Sequence, residues 1–197
     1  MKKIIVSIFV GLVTSISISA QTSDSTRDLP ELNTIKTVTL APSYSCRDET
    51  EFQKGYAATA LFLTDTSKKQ NDPELVFNGA CRAEDYFVAS TAGDDMSLIA
   101  DLGENIPLEQ LSAQKIFNLK MVQSVDAYSK FALNFKVQLN HTYAVLINET
   151  SKRGLFVFTV VNYVPNQKVE LRYAVKSYQI IQASRAAEGF KWDKENN

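Results

Sequence analysis

The chain has a single histidine, His141, so any Ser-His-Asp or Cys-His catalysis would have to use it. It sits in Leu139-Asn140-His141-Thr142, a polar break between two apolar runs. Tight turns favour such residues for local reasons, so a turn outweighs a general base there. One histidine also excludes a His-rich zinc or copper site. Ser112-Ala113-Gln114-Lys115 has the Ser-x-x-Lys spacing, in which a lysine one helical turn away takes the serine proton. The Ser-Asp-Asn and Lys-Thr-Gly elements that accompany that chemistry are missing, and the spacing is common by chance.

Carboxylates are densest at Gly93-Asp94-Asp95, followed by Asp101 and Glu104. Two turns, at 93–95 and 101–104, would set Asp94, Asp95, Asp101 and Glu104 across a strand over 96–100 as oxygen ligands for Ca²⁺. The spacing matches no EF-hand loop, and Asp and Gly also make turns without any ion. The same carboxylates are the pair that a glycoside hydrolase of this sequence would use. Ca²⁺ is the one cofactor this pattern suggests, and no other cofactor is expected.

Aromatic residues are plentiful, with 8 Tyr, 11 Phe and 1 Trp. Exposed Tyr and Trp rings stack on the apolar faces of sugars. Tyr163, Tyr173, Tyr178 and Trp192 are the residues to weigh. Tyr173 alternates with apolar residues, which predicts burial, whereas Tyr163 lies beside a turn and is the ligand-binding candidate. Cys46 and Cys81 are the only cysteines, and in an exported protein they predict one disulfide worth about 3–4 kcal/mol. Two buried thiols are the alternative. Asn140-His141-Thr142 and Asn148-Glu149-Thr150 are glycosylation sequons that matter only in a cell that glycosylates exported proteins. Lys152-Arg153 reads as a solvated basic point at a hairpin tip.

The expectation of export comes from residues 1–20. Lys2 and Lys3 precede an apolar run over 4–13, and Ile18-Ser19-Ala20 ends on a small residue, as in a secretory signal cut before Gln21. The apolar run is too short for a membrane span, and no later stretch is long enough. A net charge of −1, made slightly more negative by loss of the two signal lysines, argues against nucleic acid, which asks for a basic patch.

The elements that would position these residues are mostly strands. Residues 21–33 read as a flexible lead-in, 34–182 as a single β domain and 183–197 as a tail. Strict alternation over 131–139, then apolar runs at 142–147 and 155–164 and alternation over 169–175, predict a four-stranded antiparallel meander. The 155–164 run is apolar on both faces, as a central strand would be. Shorter strands are expected at 38–40, 57–63, 75–77, 86–89 and 96–102, with a polar loop over 65–73. Pro107 and Glu109 mark the start of one short helix running to about residue 114. The fold class is therefore mainly β: an antiparallel β-sandwich, jelly-roll-like, with a β-barrel as the alternative.

These observations favour an exported, non-enzymatic binding or structural module of the cell envelope or extracellular space, periplasmic or secreted. Cell-wall or extracellular polysaccharide, or a protein, is the expected partner. A secreted hydrolase using the carboxylates of 94–104 is one alternative. A protein-binding effector, such as an inhibitor or adhesin using loop 148–154, is the other.

Overall fold

Segments whose apolar residues recur at every second position pair into two antiparallel sheets in the computed structural model. The structure describes residues 28–47, 50–53, 55–79, 84–89, 97–118 and 131–181. In chain order the elements are β1 (Lys36–Leu40), β2 (Tyr44–Arg47), β3 (Thr50–Gln53), α1 (Tyr56–Thr59), β4 (Ala60–Leu61), α2 (Asp65–Gln70), β5 (Leu75–Asn78), β6 (Tyr86–Ala89) and β7 (Leu98–Glu104). A 3-10 turn (Leu108–Gln110), α3 (Ala113–Asn118), β8 (Asn134–Lys136), β9 (His141–Asn148), β10 (Lys152–Val164) and β11 (Lys168–Ile180) complete them. One sheet has the order β1-β11-β10-β9-β7, the second β4-β5-β6-β8, and β2 and β3 form a separate ribbon. Neither sheet closes on itself, so the architecture is a sandwich and not a barrel.

The main core lies between the sheets. Leu75, Phe77 and Phe87 from the smaller sheet meet Tyr143, Phe156, Phe158 and Leu171 from the larger one. Tyr143 stacks on Phe158 with ring centroids 5.0 Å apart, and Phe87 meets Phe158 edge-on at 4.9 Å. A second cluster covers the opposite face of the larger sheet. Leu108, Leu111 and Ile116 pack there on Ala144, Leu155, Val157 and Ala174. With both faces covered, β10 has no polar side to show, as its doubly apolar sequence predicts. The 3-10 turn is pinned by Lys176, a buried lysine on β11 that donates to the Leu108 carbonyl at 3.0 Å.

Strands β9, β10 and β11 form the expected meander, but its first member does not belong to it. Only Asn134–Lys136 is a strand, and it pairs with β6 in the other sheet. Ala132 bridges Ile99 of β7, so this stretch passes from one sheet to the other. Alternation fixes which residues share a face, not which sheet supplies the partner. Leu133 and Leu139 are consequently exposed, at 39% and 48%.

The expected loop over 65–73 contains helix α2. The Thr64 hydroxyl caps it by accepting from Ser67 N–H at 3.0 Å, and Asn71 ends it in the left-handed conformation. The anticipated helix near 107–114 resolves into the 3-10 turn followed by α3. Within the expected strand over 57–63, residues 56–59 are helical and only Ala60–Leu61 is extended. Residues 28–33, placed in the flexible lead-in, are tied down. Asn33 N–H donates to the Val175 carbonyl at 2.8 Å, and the Asp28 carboxylate accepts from Asp65 and Thr66 N–H at 2.8 and 2.9 Å. No helix among the described residues is long and apolar enough to cross a membrane.

Candidate functional site

An open groove of about 430 Å³ lies among the described residues. The segment 28–31 forms one wall, and helix α2 with residues 62–64 leading into it forms another. Tyr173 of β11 and Phe62 after β4 supply half-buried aromatic surface, and Lys36 of β1, Glu31 and Lys68 supply charge. Tyr173 was expected in the core. It packs one side there, yet it stands beside the edge strand β1, opposite Lys36, and so keeps a face on the groove. Burial raises the pKa of its hydroxyl, with Lys36 opposing weakly, so the group remains a neutral donor and acceptor. Lys36 pairs with Glu31 at 3.2 Å. The hydrogen bond to Thr66 holds the Asp28 carboxyl below its ordinary value, against a small opposing cost of burial. The wall 28–31 is thus fastened at both ends. The groove sets partly buried aromatic side chains in a predominantly polar and charged lining.

No family model, curated protein or solved structure matches the chain.

The residues singled out by sequence are dispersed. Asp94, Asp95 and Cys81 lie outside the described residues, as does Trp192. Cys46 is on strand β2, and its pairing with Cys81 likewise falls outside them. Asp101 and Glu104 do not stand in a turn but within β7, where a bulge separates Asp101 from Gly103. Gly103 adopts φ +106°, a conformation other residues rarely take, and its N–H donates to Asp101 Oδ1 at 2.8 Å. Asp101 Oδ2 also receives Gln138 Nε2 at 3.1 Å and lies 2.9 Å from His141 Nδ1. Its oxygens are occupied by protein donors, while Glu104 is exposed. Among the described residues, no group of three or more His, Cys, Asp or Glu is arranged to hold a metal ion. His141 follows the turn and opens β9, its ring oriented by Asp101. Ser112 and Lys115 are exposed, and the Ser112 hydroxyl accepts from Lys115 N–H at 3.2 Å as a helix cap.

Tyr163 is half-buried against the main core, and its hydroxyl donates to Asp85 Oδ2 at 2.9 Å. Burial, reinforced by Asp85, raises its pKa. The same Asp85 oxygen accepts from Asn166 N–H at 2.7 Å. Asp85 is itself buried, so this constellation holds the β10–β11 turn onto the smaller sheet.

A further cluster was missed entirely. Lys152 is not solvated: its side chain is 5% exposed, and its ammonium lies 2.8 Å from Asp72, 3.0 Å from Glu74 and 3.3 Å from Glu149. Glu74 is fully buried and also receives Ser67 Oγ at 2.7 Å and Leu63 N–H at 2.9 Å. Burial alone would lower the Lys152 pKa, but Glu74 and the other carboxylates outweigh it and raise it. A permanently charged, fully engaged ammonium cannot act as a base for Ser67, although the two lie 3.4 Å apart. No local pattern announces this cluster, because its members come from two polar stretches that each look like ordinary loops.

Proposed function

We propose that this protein is an exported, non-enzymatic binding module of the cell envelope or extracellular space, and that the groove beside Tyr173 takes a carbohydrate chain. The observation that carries the reading is that two half-buried aromatic residues, Tyr173 and Phe62, line one groove with the charged side chains of Glu31, Lys36 and Lys68. Sugar rings present apolar C–H faces to such aromatic surface and hydroxyls to such charged groups. Of the charged residues in loop 148–154, Lys152 and Glu149 face inward and Arg153 alone is exposed.

Co-sedimentation of the protein with purified cell wall and insoluble polysaccharides tests the proposal, in Ca²⁺ and in chelator. Wild type is expected to be retained by one matrix. Tyr173→Leu, which keeps apolar packing but removes the flat ring, is expected to weaken retention roughly two- to tenfold, in line with about 0.5–1.5 kcal/mol for ring contacts. Failure to bind any matrix would remove the carbohydrate reading. For export, mass spectrometry of the protein from its native cells is expected to find an N-terminus at Gln21.

A further inference from the structure

Three carboxylates face one ammonium in the most deeply buried charge cluster among the described residues, and that imbalance has consequences. We propose that the Lys152, Glu74, Glu149 and Asp72 cluster is a proton-operated latch: uptake of one proton at Glu149 tightens α2 and β5 onto the β9–β10 turn.

The geometry singles out Glu149. An ammonium has three N–H donors. The closest acceptors are Asp72 Oδ2 at 2.8 Å and Glu74 Oε1 at 3.0 Å. The third donor is shared among Glu149 Oε2 at 3.3 Å, the Asp72 carbonyl at 3.3 Å and Ser67 Oγ at 3.4 Å. Glu149 is therefore the least well compensated carboxylate, although its side chain is only 2% exposed. Its other oxygen receives Ser97 Oγ at 3.1 Å, and that hydroxyl can turn to accept from a protonated carboxyl.

Among the described residues, the groups facing the cluster come from four places in the chain. The segment from α2 to β5 brings Asp72 and Glu74 with the neutral Ser67, and the residue before β7 is the neutral Ser97. Strand β10 brings Lys152, and β11 brings Tyr178, whose pKa is raised chiefly by burial and which stays uncharged. Burial, helped by the like charge of Asp72, outweighs Lys152 and holds the Glu149 carboxyl above its ordinary value of 4.5. A carboxyl raised in the folded state binds its proton more tightly there than in the unfolded chain. Its stabilising effect is full below 4.5 and is lost as the pH rises through the higher folded value. The latch thus closes as the pH falls and loosens as it rises through the raised folded value.

One helix connects the latch to the groove. Ser67 of α2 holds the cluster, while Asp65 and Lys68 of the same short helix line the groove. The latch itself does not depend on the groove reading, and its test makes no use of a ligand.

Thermal melting of the full chain from pH 8 to pH 5, for wild type and Glu149→Gln, is the decisive experiment. Glutamine keeps an acceptor for Lys152 and a donor for Ser97, so it imitates the protonated form. Wild type is expected to gain stability relative to the variant as the pH falls, with the variant the more stable of the two at pH 8. Parallel curves, or a variant less stable by the same amount at every pH, would overturn the proposal. Should the variant fail to fold, carbon-13 NMR titration of the Glu149 carboxyl in wild type decides. A midpoint above 4.5 supports the latch, and one at or below it refutes it.

Discussion

Single side chains in this protein carry charge into places where water cannot help them. Lys152 is the sharpest case, because removing it strands Glu74 and Glu149 in the interior. Breaking a buried ion pair from one side typically costs about 3–5 kcal/mol, since the remaining charge is left uncompensated. Lys152→Met is expected to lose that much in urea unfolding at pH 7, where a surface lysine would lose almost nothing. Tyr163 offers a gentler test. Its hydroxyl is engaged by Asp85, so Tyr163→Phe is expected to cost about 1–3 kcal/mol of stability. A change within about 0.5 kcal/mol, the range of ordinary surface substitutions, would mean the tyrosine is not holding the turn.

At the scale of elements, helix α2 shows how a short segment acquires order. Six residues are too few for a stable isolated helix. Its order comes from the Thr64 cap, from Asp28 accepting its first N–H groups and from Ser67 hydrogen-bonded to Glu74. Thr64→Ala removes the cap and is expected to cost about 1 kcal/mol, with faster amide exchange over 65–70 as the specific signature. The signals were present in the sequence: Thr64, acidic Asp65, basic Lys68 and Lys69, then Asn71. They were masked because the segment has no apolar stripe, and a polar run between strands resembles a loop. Strand β10 is the opposite case. Its two apolar faces announce a central strand, and the two hydrophobic clusters cover one face each.

On the scale of the whole molecule, the sandwich is closed by rings reaching across from both sheets. Phe158 touches Phe87 of the smaller sheet and Tyr143 of its own. Phe158→Ala is expected to cost about 3–5 kcal/mol in denaturant unfolding, because the surrounding rings cannot collapse into the space. The groove also belongs to this scale. Its surface is assembled from the N-terminal segment, β1, α2 and β11, none of which suggests a binding site alone.

Alternation and continuous apolar runs are local properties of one strand, and they are sufficient to mark the strands β1, β5, β6, β9, β10 and β11 and the mainly β class. They are silent about partners. Thus β8 alternates like its neighbours yet joins the other sheet, and Tyr173 keeps core spacing yet turns one face outward beside an edge strand. Lys152 and Glu74 stand 78 positions apart in the chain, and Asp85 and Tyr163 also 78. Only the order and packing of the strands bring such pairs within hydrogen-bonding distance. A buried charge and its partner are selected by the space between two sheets, and that space exists only once the chain has folded.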